Sequence, residues 1–570
     1  MKKIKKPLGL GLLLVSATCL SSCGGKKNPT FWTCFGSEYT TMILNLVDMV
    51  KADFDFNIEP EDHKSYDTIL TNIQDVTGSG DYPNVCLGYP DHFITYEASG
   101  ILVDLTDYIT AYDQAHGTNI LRKGEDQSAT DTADGGYYDA YMKENRKIIY
   151  DADGNGRVNA LPFNKSTEVM AYNSVFVDFC EWWCTKNPDV EVNGKKASEW
   201  DIGQDGIPNT WQKWAEKGPY YRHVMNQVIG DETRVGKFIY GKQDANGRAH
   251  DFEVKDAKAN VPGKVLLLDF PKVEKEKTRV MGWDATDNMF ITLIKQWGSH
   301  YTRLQDNPEE EEAGYRKGFI DFISSNDKAK TLECLKFFAE LSDKKIIGTP
   351  NDMVNESFCT KAFQNNQVMF TICSSGGVHK NIDGDSNPNK RMAVRAIPYY
   401  DDGTTQRRIV ISQGANIAML DKGTDEQKQK AFEFMVKITS GKYQAKWCLD
   451  TGYFPCSVSA ANDPSYKALF EGVKDYEDKK SLSHREASEV NKDIYMNASK
   501  PWEKFVDDPF DGSAKVREAM KDIMQTVFHT GLEKLHQGDA QFNAYCSELL
   551  TNKANTLKNS SAKHTIQISD

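Results

Sequence analysis

The sequence predicts an α/β protein built from more than one domain. Strand-like and helix-like segments alternate through most of its 570 residues, the pattern of sheets covered by helices. The chain is also too long for a single hydrophobic core. With 39% hydrophobic and 26% charged residues and a mean hydropathy of −0.58, it has the composition of a globular chain in water.

Taken in order, the first segment is a leader. Lys2, Lys3, Lys5 and Lys6 give a basic start, and Leu8 to Val15 form an apolar core. That core is far short of the roughly 20 residues a membrane-spanning helix needs. Leu20-Ser21-Ser22-Cys23 then resembles the bacterial lipobox. The resemblance implies cleavage before Cys23 and a diacylglycerol on its thiol, so residues 1–22 read as a lipoprotein signal peptide and 23–29 as a linker. Acyl chains bury about 0.8 kcal/mol per methylene, so two or more hold a domain at a membrane surface.

"TFWTCF" reads as a short strand. "TTMILNLVDMVKADF" follows with Ile43, Leu46, Val47, Val50 and Phe54 at helical spacing. "YPNVCLGYP" is a buried strand ending in a loop, and "GILVDLTDYI" another packed element. "KIIYDADGNGRVNALPF" is strand, turn, strand, with Asn155-Gly156 in the turn. "TLECLKFFAEL" and "EQKQKAFEFMVKI" are amphipathic helices, and "LKNSSAKHTIQISD" is expected to fray. No later stretch is long and apolar enough to span a bilayer, and there is no internal repeat.

The net charge of −13, or −17 once the four leader lysines are gone, disfavours nucleic acid and anionic lipid as partners. Of twelve cysteines, Cys19 and Cys23 belong to the leader and anchor. The other ten are scattered, and Cys180 and Cys184 lack the companions a zinc site needs. Most read as small buried apolar residues, with the question of a disulfide open. Asp151, Asp153 and Asn155 imitate half a calcium loop, but position twelve is Pro162 rather than a bidentate Glu. A hairpin turn accounts for them, and neither metal nor cofactor is expected.

Several spaced segments resemble one family. "GDYPNVCLGYPDHFITYEASGILVDLTDYI", "NALPFNKSTEVMAYNSVFVDF", "IPNTWQKWAEKG", "AFQNNQVMFTICSSGG", "RAIPYY", "SQGANIAM" and "TSGKYQAKWCLDTGYFPCSVSA" follow the order found in extracellular solute-binding proteins of the carbohydrate (family 1) type. These are the capture subunits of ABC importers. The resemblance covers about residues 30 to 465. It implies a two-lobed periplasmic-binding-protein-like fold of type II, with strands crossing between lobes and a ligand cleft between them. Residues 30–163 plus 411–452 would form the N-terminal lobe, and 164–410 plus 453–570 the C-terminal one. It further implies a carbohydrate ligand, a permease as partner, no enzymatic activity, and a monomer on the extracytoplasmic face of the cell membrane. Segments 184–205 and 218–278 depart from the family, and "DANGRAHDFEVKD" reads as an added hairpin.

A sugar site needs carboxylates, amides and hydroxyls at its edges and an aromatic platform. Asp91, in "GYPDHF", lies where a strand ends, as cleft ligand, helix N-cap, or both. Ser37 and Glu38 follow the first strand, where a helix dipole also favours Glu38. "MGWDATDN" offers Trp283 as a stacking face or a core residue, with Asp284, Asp287 and Asn288 as polar ends. Ser374, Ser375 and Gly376 in "CSSGG" bring hydroxyls and close backbone approach, or a tight turn. Thr167 and Gly414 face the hinge, and Tyr453 stands beside a third crossover.

Rival readings are weaker. A surface glycosidase needs two carboxylates about 5 to 10 Å apart across a cleft, and no catalytic signature singles out a pair. An adhesin would have no small ligand. Glycerol phosphate, or another polyol, would call for basic cleft residues. Arg395 is the only arginine near the matched segments apart from Arg407 and Arg408.

Overall fold

The computed structural model describes residues 28–570 except 55–56, 152–154, 229–237, 245, 256–263, 270–273, 306–316, 355, 383–390, 473–477, 498, 500 and 562–563, and leaves aside the side chains of 37–38, 238, 254–255, 264–269 and 479. The leader, Cys23 and Asp153 thus lie outside the described residues.

Among the described residues, two main sheets of five and seven strands carry the architecture. In the first, Glu59–Asp62, Thr30–Thr33 and Val85–Gly88 run parallel in that spatial order. Asn416–Met419 joins antiparallel and pairs in turn with Leu161–Pro162. The second sheet centres on Ser166–Asn173, whose eight residues are all buried. Phe370–Ser374 flanks it on one side, Met392–Ala396 and Ile409–Gln413 on the other, all antiparallel to it. Met281–Trp283, with Ile347–Gly348 beyond it, and Glu503–Phe505 extend the two ends in parallel fashion.

The chain passes from the first sheet to the second between Pro162 and Ser166 and returns between Gln413 and Asn416. Because Ile409–Gln413 pairs within the second sheet, the return comes at Gly414 rather than at 411. The third crossing also falls later than expected at 453. Val458 N still donates to Gly136 O, and the Asn462 amide to Ser128 O and Asp131 O, all on the first unit.

Periodicity explains the helices. In Gly36–Asp53, Ile43, Leu46, Val47 and Val50 line one face and are buried, each contributing about 1.5–3 kcal/mol. Phe54 does not continue that face: it turns extended, caps Val50 O through its N–H, and is exposed. Asp425–Ile438 starts at a reciprocal Thr424–Gln427 capping box, which satisfies two orphan N–H groups.

The expected hairpin exists as Phe238–Gln243 and Ala249–Lys255, with Lys264–Asp269 as a third strand. It docks on helix Ser174–Lys186, where Asp178 accepts from Ala249 N at 2.8 Å. The expected strand–turn–strand at 147–163 reduces to a single Tyr150–Gly156 bridge before Leu161–Pro162. Asp151 accepts from Asn155 N at 2.8 Å, a turn bond.

The C-terminus does not fray. Helix Asp539–Ser560 buries Phe542, Cys546, Leu550, Ala554 and Leu557, and Ile566–Ile568 pairs in parallel with Gly318–Ile320. Ile566, buried at 1% exposure, anchors that last strand. All ten described cysteines are free and buried, as small apolar residues should be.

Candidate functional site

Strand direction decides where polar groups collect. The first sheet's three parallel strands end at one edge, followed by Cys34–Phe35, His63–Tyr66 and Tyr89–Asp91. In the second sheet, the ends of Met281–Trp283, Phe370–Ser374, Ile409–Gln413 and Glu503–Phe505 share an edge with the start of Ser166–Asn173. Open α/β sheets bind ligands at such carboxyl edges.

The two edges face each other. Helix Pro90–Ala98 of the first unit touches helix Ser513–Glu518 of the second. The Tyr39 hydroxyl lies 3.4 Å from His379 Nε2, and Lys380 Nζ sits 5.0 Å from the Tyr39 ring centre. His379 Nδ1 meets His484 Nε2 at 3.1 Å. Burial, helped by Lys480, pushes both imidazoles down to about 3, so a neutral pair closes this end of the seam.

At the centre stands Arg517. Its Nε donates to Asp287 at 3.0 Å, one terminal nitrogen to Asp507 at 2.7 Å, and the other to Asn288 Oδ1. Burial works against this guanidinium's charge, but Asp287, Asp507 and Asp91 outweigh it and raise its pKa. Asn288 passes the network on by donating to Glu168 Oε1 at 3.2 Å, where Trp283 Nε1 also donates at 2.9 Å. Burial pushes the Glu168 carboxyl up to about 8 against those two hydrogen bonds. Its Oε2 is buried without a hydrogen-bond partner, as are Asp91 Oδ1, Asp507 Oδ1 and the Tyr301 hydroxyl.

Aromatic rings line the first-unit side. Tyr66 and Tyr89 meet edge to face at 4.9 Å. Trp447 packs on Phe35 and Phe163 and lies parallel to Tyr453, with centroids 6.5 Å apart. Asn164 ties these groups together, accepting from Trp447 Nε1 at 2.7 Å and donating to the Tyr66 hydroxyl at 3.2 Å.

The expected residues divide accordingly. Asp91 is on the seam and is not the N-cap: Tyr89 holds that place, with no side-chain cap bond. Asn288 and Asp287 hold Arg517. Ser374 bonds Ser166 Oγ at 3.3 Å on the same edge. Gly376 fits against Tyr453, whose ring would come within 2.8 Å of an added Cβ. Gly414 has φ +100°, and a Cβ there would lie 1.4 Å from Asn164 O, so only glycine lets the chain cross at that point.

Others have structural roles. Trp283 is fully buried and stacks on Trp211, which corrects its reading as a sugar platform. Thr167 donates its hydroxyl to Ile411 O at 2.7 Å and its N–H to Ser375 Oγ at 3.2 Å, clamping strands rather than facing the hinge space. Ser375 also accepts from Asn491 at 3.0 Å. Asp284 accepts from Cys359 N at 2.7 Å, and burial pushes its carboxyl up to about 6. The side chains of Ser37 and Glu38 lie outside the described residues. The site's arginine is Arg517 rather than Arg395, which donates to Gln204 O. Glu168 had a sequence signal, a lone carboxylate in an apolar strand. Arg517, Asp507 and Tyr301 lay outside every matched segment.

Two α/β units that turn their strand ends to a shared polar seam define a two-lobed, cleft-type binding fold. The chain belongs to the bacterial extracellular solute-binding proteins, whose family model matches residues 45–472. Solved structures agree on the fold. UgpB from Mycobacterium tuberculosis in complex with glycerophosphocholine is 15% identical at a TM-score of 0.56, covering 93% of this chain and 99% of its own. The ABC substrate-binding protein Lmo0181 from Listeria monocytogenes in complex with cycloalternan is 14% identical at 0.54, covering 93% and 98%. The GacH receptor of Streptomyces glaucescens, solved unliganded and with acarbose, is 12% identical at 0.52, covering 92% and 98%. No curated protein matches the sequence. Family membership places the chain outside the cytoplasm, and no described helix is long and apolar enough to cross a membrane.

Proposed function

We propose that this protein captures a carbohydrate between its two lobes and delivers it to the permease of an ABC importer. The lobes are the two sheet units, with crossings at 163–166, at 413–416 and beyond Asn462. Cys23 holds the molecule at the membrane through its lipid. Binding without catalysis is the reading favoured by the family.

The observation that carries this reading is the seam itself. Buried carboxyl oxygens that make no hydrogen bond and aromatic rings both lie along it, the two kinds of surface a sugar presents complements for. Neighbours solved with cycloalternan and acarbose lend support. Glycerol phosphate or a phosphodiester fits less well. All three Arg517 nitrogens are engaged by Asp287, Asp507 and Asn288, leaving the arginine little to offer a phosphate.

Asp91→Asn tests the site. Asp91 makes no cap bond, so the melting temperature should hold. Losing a charge-assisted acceptor, worth about 1.5–3 kcal/mol, should weaken sugar binding tenfold or more. Calorimetric titration with a panel of mono- to tetrasaccharides reads the effect. Unchanged affinity would remove Asp91 from the site, and cleavage of the sugars would favour a glycosidase.

A further inference from the structure

We propose that Tyr39, His379 and His484 form a pH-sensitive latch, which holds the lobes together while both imidazoles are neutral and lets them part in acid. The latch rests on the two-lobed fold and not on what the cleft carries. Tyr39 stands on helix Gly36–Asp53 of the first unit, and both histidines belong to the second. The Tyr39 hydroxyl lies 3.4 Å from His379 Nε2, and His379 Nδ1 lies 3.1 Å from His484 Nε2. The His484 ring then returns to the first unit, where a Cβ added at Gly452 would come within 2.7 Å of its Cδ2. His379 is 0% and His484 3% exposed. The contacts run from one lobe into the other and back.

Counting protons fixes the charge of this chain. Of the two ring nitrogens that face each other, only one can carry a proton. When His379 Nδ1 donates to His484 Nε2, His379 Nε2 is left as an acceptor, which the Tyr39 hydroxyl serves. His484 then keeps its proton on Nδ1, where a backbone hydrogen bond with Leu449 of the first unit favours it. Every atom is satisfied, and both rings are neutral. A further proton on either ring turns the Tyr39 hydroxyl from donor to acceptor or sets two N–H groups against each other.

The surrounding charges do not offset such a proton. Lys380, beside His379, and Lys480, on the helix of His484, both oppose it. Asp478 favours it from the start of that helix, but accepts from Ser481 N at 3.1 Å. Arg485 pairs with Glu489, Lys446 with Asp450 and Lys51 with Asp48, while Lys361 bonds Gln364 and Glu168 holds Trp283 and Asn288. Burial and the lysines thus hold both imidazoles down from 6.5 to about 3 while the lobes touch. Parting the lobes takes Tyr39 and Gly452 off the rings and gives them water, so a proton binds the open form near its ordinary value. The sign follows. Closure is unopposed above pH 6.5 and loses ground as pH falls from there toward 3. One proton taken up on opening favours the open form by about tenfold per pH unit in that window.

Solution scattering on the ligand-free full chain, from about pH 7.5 to about pH 4.5, reads the latch across the ordinary histidine range. Circular dichroism at each pH separates opening from unfolding. The radius of gyration should step up as pH falls below about 6.5. His379→Gln, His484→Gln and the double variant should lose the step, because glutamine keeps a donor and an acceptor but cannot titrate. A parent curve that stays flat would overturn the latch, as would a step that coincides with loss of the dichroism signal. A step that persists in the double variant would also overturn it and assign the opening to the carboxylates around Arg517. No ligand enters the experiment, so none of these results bears on the carbohydrate reading.

Discussion

Replacing Glu168 by Gln should remove the pH dependence of stability that its burial creates. The carboxyl rises from 4.5 to about 8 because burial outweighs its hydrogen bonds from Trp283 and Asn288. The folded chain therefore holds this proton more tightly than the unfolded chain does. Stability from this group is greatest below pH 4.5, falls through the window between, and levels off above pH 8. At about 1.4 kcal/mol per pKa unit, the shift corresponds to roughly 5 kcal/mol over that window. Glutamine keeps the acceptor that Trp283 and Asn288 use but cannot ionise, and its extra buried N–H costs about 1–3 kcal/mol. The variant should thus be slightly less stable than the parent in acid and several kcal/mol more stable at alkaline pH. Urea unfolding of both ligand-free proteins at a series of pH values reads the crossing. Asp287 and Arg517, the charged groups nearest Glu168, are common to both, so their effects cancel in the difference. Parallel stability curves would refute the reasoning, because they would mean that Glu168 titrates as an ordinary surface acid.

Gly414→Ala should cost at least about 3 kcal/mol or prevent folding, since the residue sits at φ +100° and a Cβ would collide with Asn164 O; melting temperature and yield check it. Tyr39→Phe removes the hydroxyl that meets His379 across the seam. It should shift the ligand-free chain toward an open form by about 0.5–1.5 kcal/mol, raising the radius of gyration in solution scattering but not at saturating ligand. Cys23→Ser should release the protein from membranes or stall it uncleaved; fractionation that finds it still membrane-bound would sink the anchor.

The sequence shows the architecture more clearly than the site, for a physical reason. Helix and strand periods are local, so Ile43 to Val50 announce the helix they form, and Val85–Gly88 its strand. The site is assembled from a distance: Arg517 reaches Asp287 across 230 positions of chain, and no spacing reveals such a pairing. Trp283 shows the complementary difficulty, since a tryptophan beside an aspartate reads alike as platform or as core. Only the Trp211 ring over its face and Glu168 at its N–H decide. Gly376 and Gly414 were legible as glycines but not in their causes, one a close ring, the other a left-handed crossing. The strand Ile566–Ile568 was missed because three residues are too few for a period, and their partner Gly318–Ile320 lies far upstream.

The unpartnered acceptors bear on how closure is coupled to cargo. Asp91 Oδ1, Glu168 Oε2 and Asp507 Oδ1 are buried here without a hydrogen-bond partner. Each buried acceptor left so costs about 1–3 kcal/mol, so three oppose the empty closed form by several kcal/mol. The Tyr39–His379 contact and the touching helices Pro90–Ala98 and Ser513–Glu518 favour it. A ligand that hydrogen-bonds these oxygens removes the opposing term only when the lobes are together, if opening returns the oxygens to water. That difference is what a ligand needs to move a two-state equilibrium, and about 5.5 kcal/mol of it carries the population from one part in a hundred to ninety-nine. Satisfying the Asp91 and Asp507 carboxylates and the Glu168 carboxyl, which holds its proton at neutral pH, lies within that range, so residues that recognise a cargo there would also suffice to report its capture.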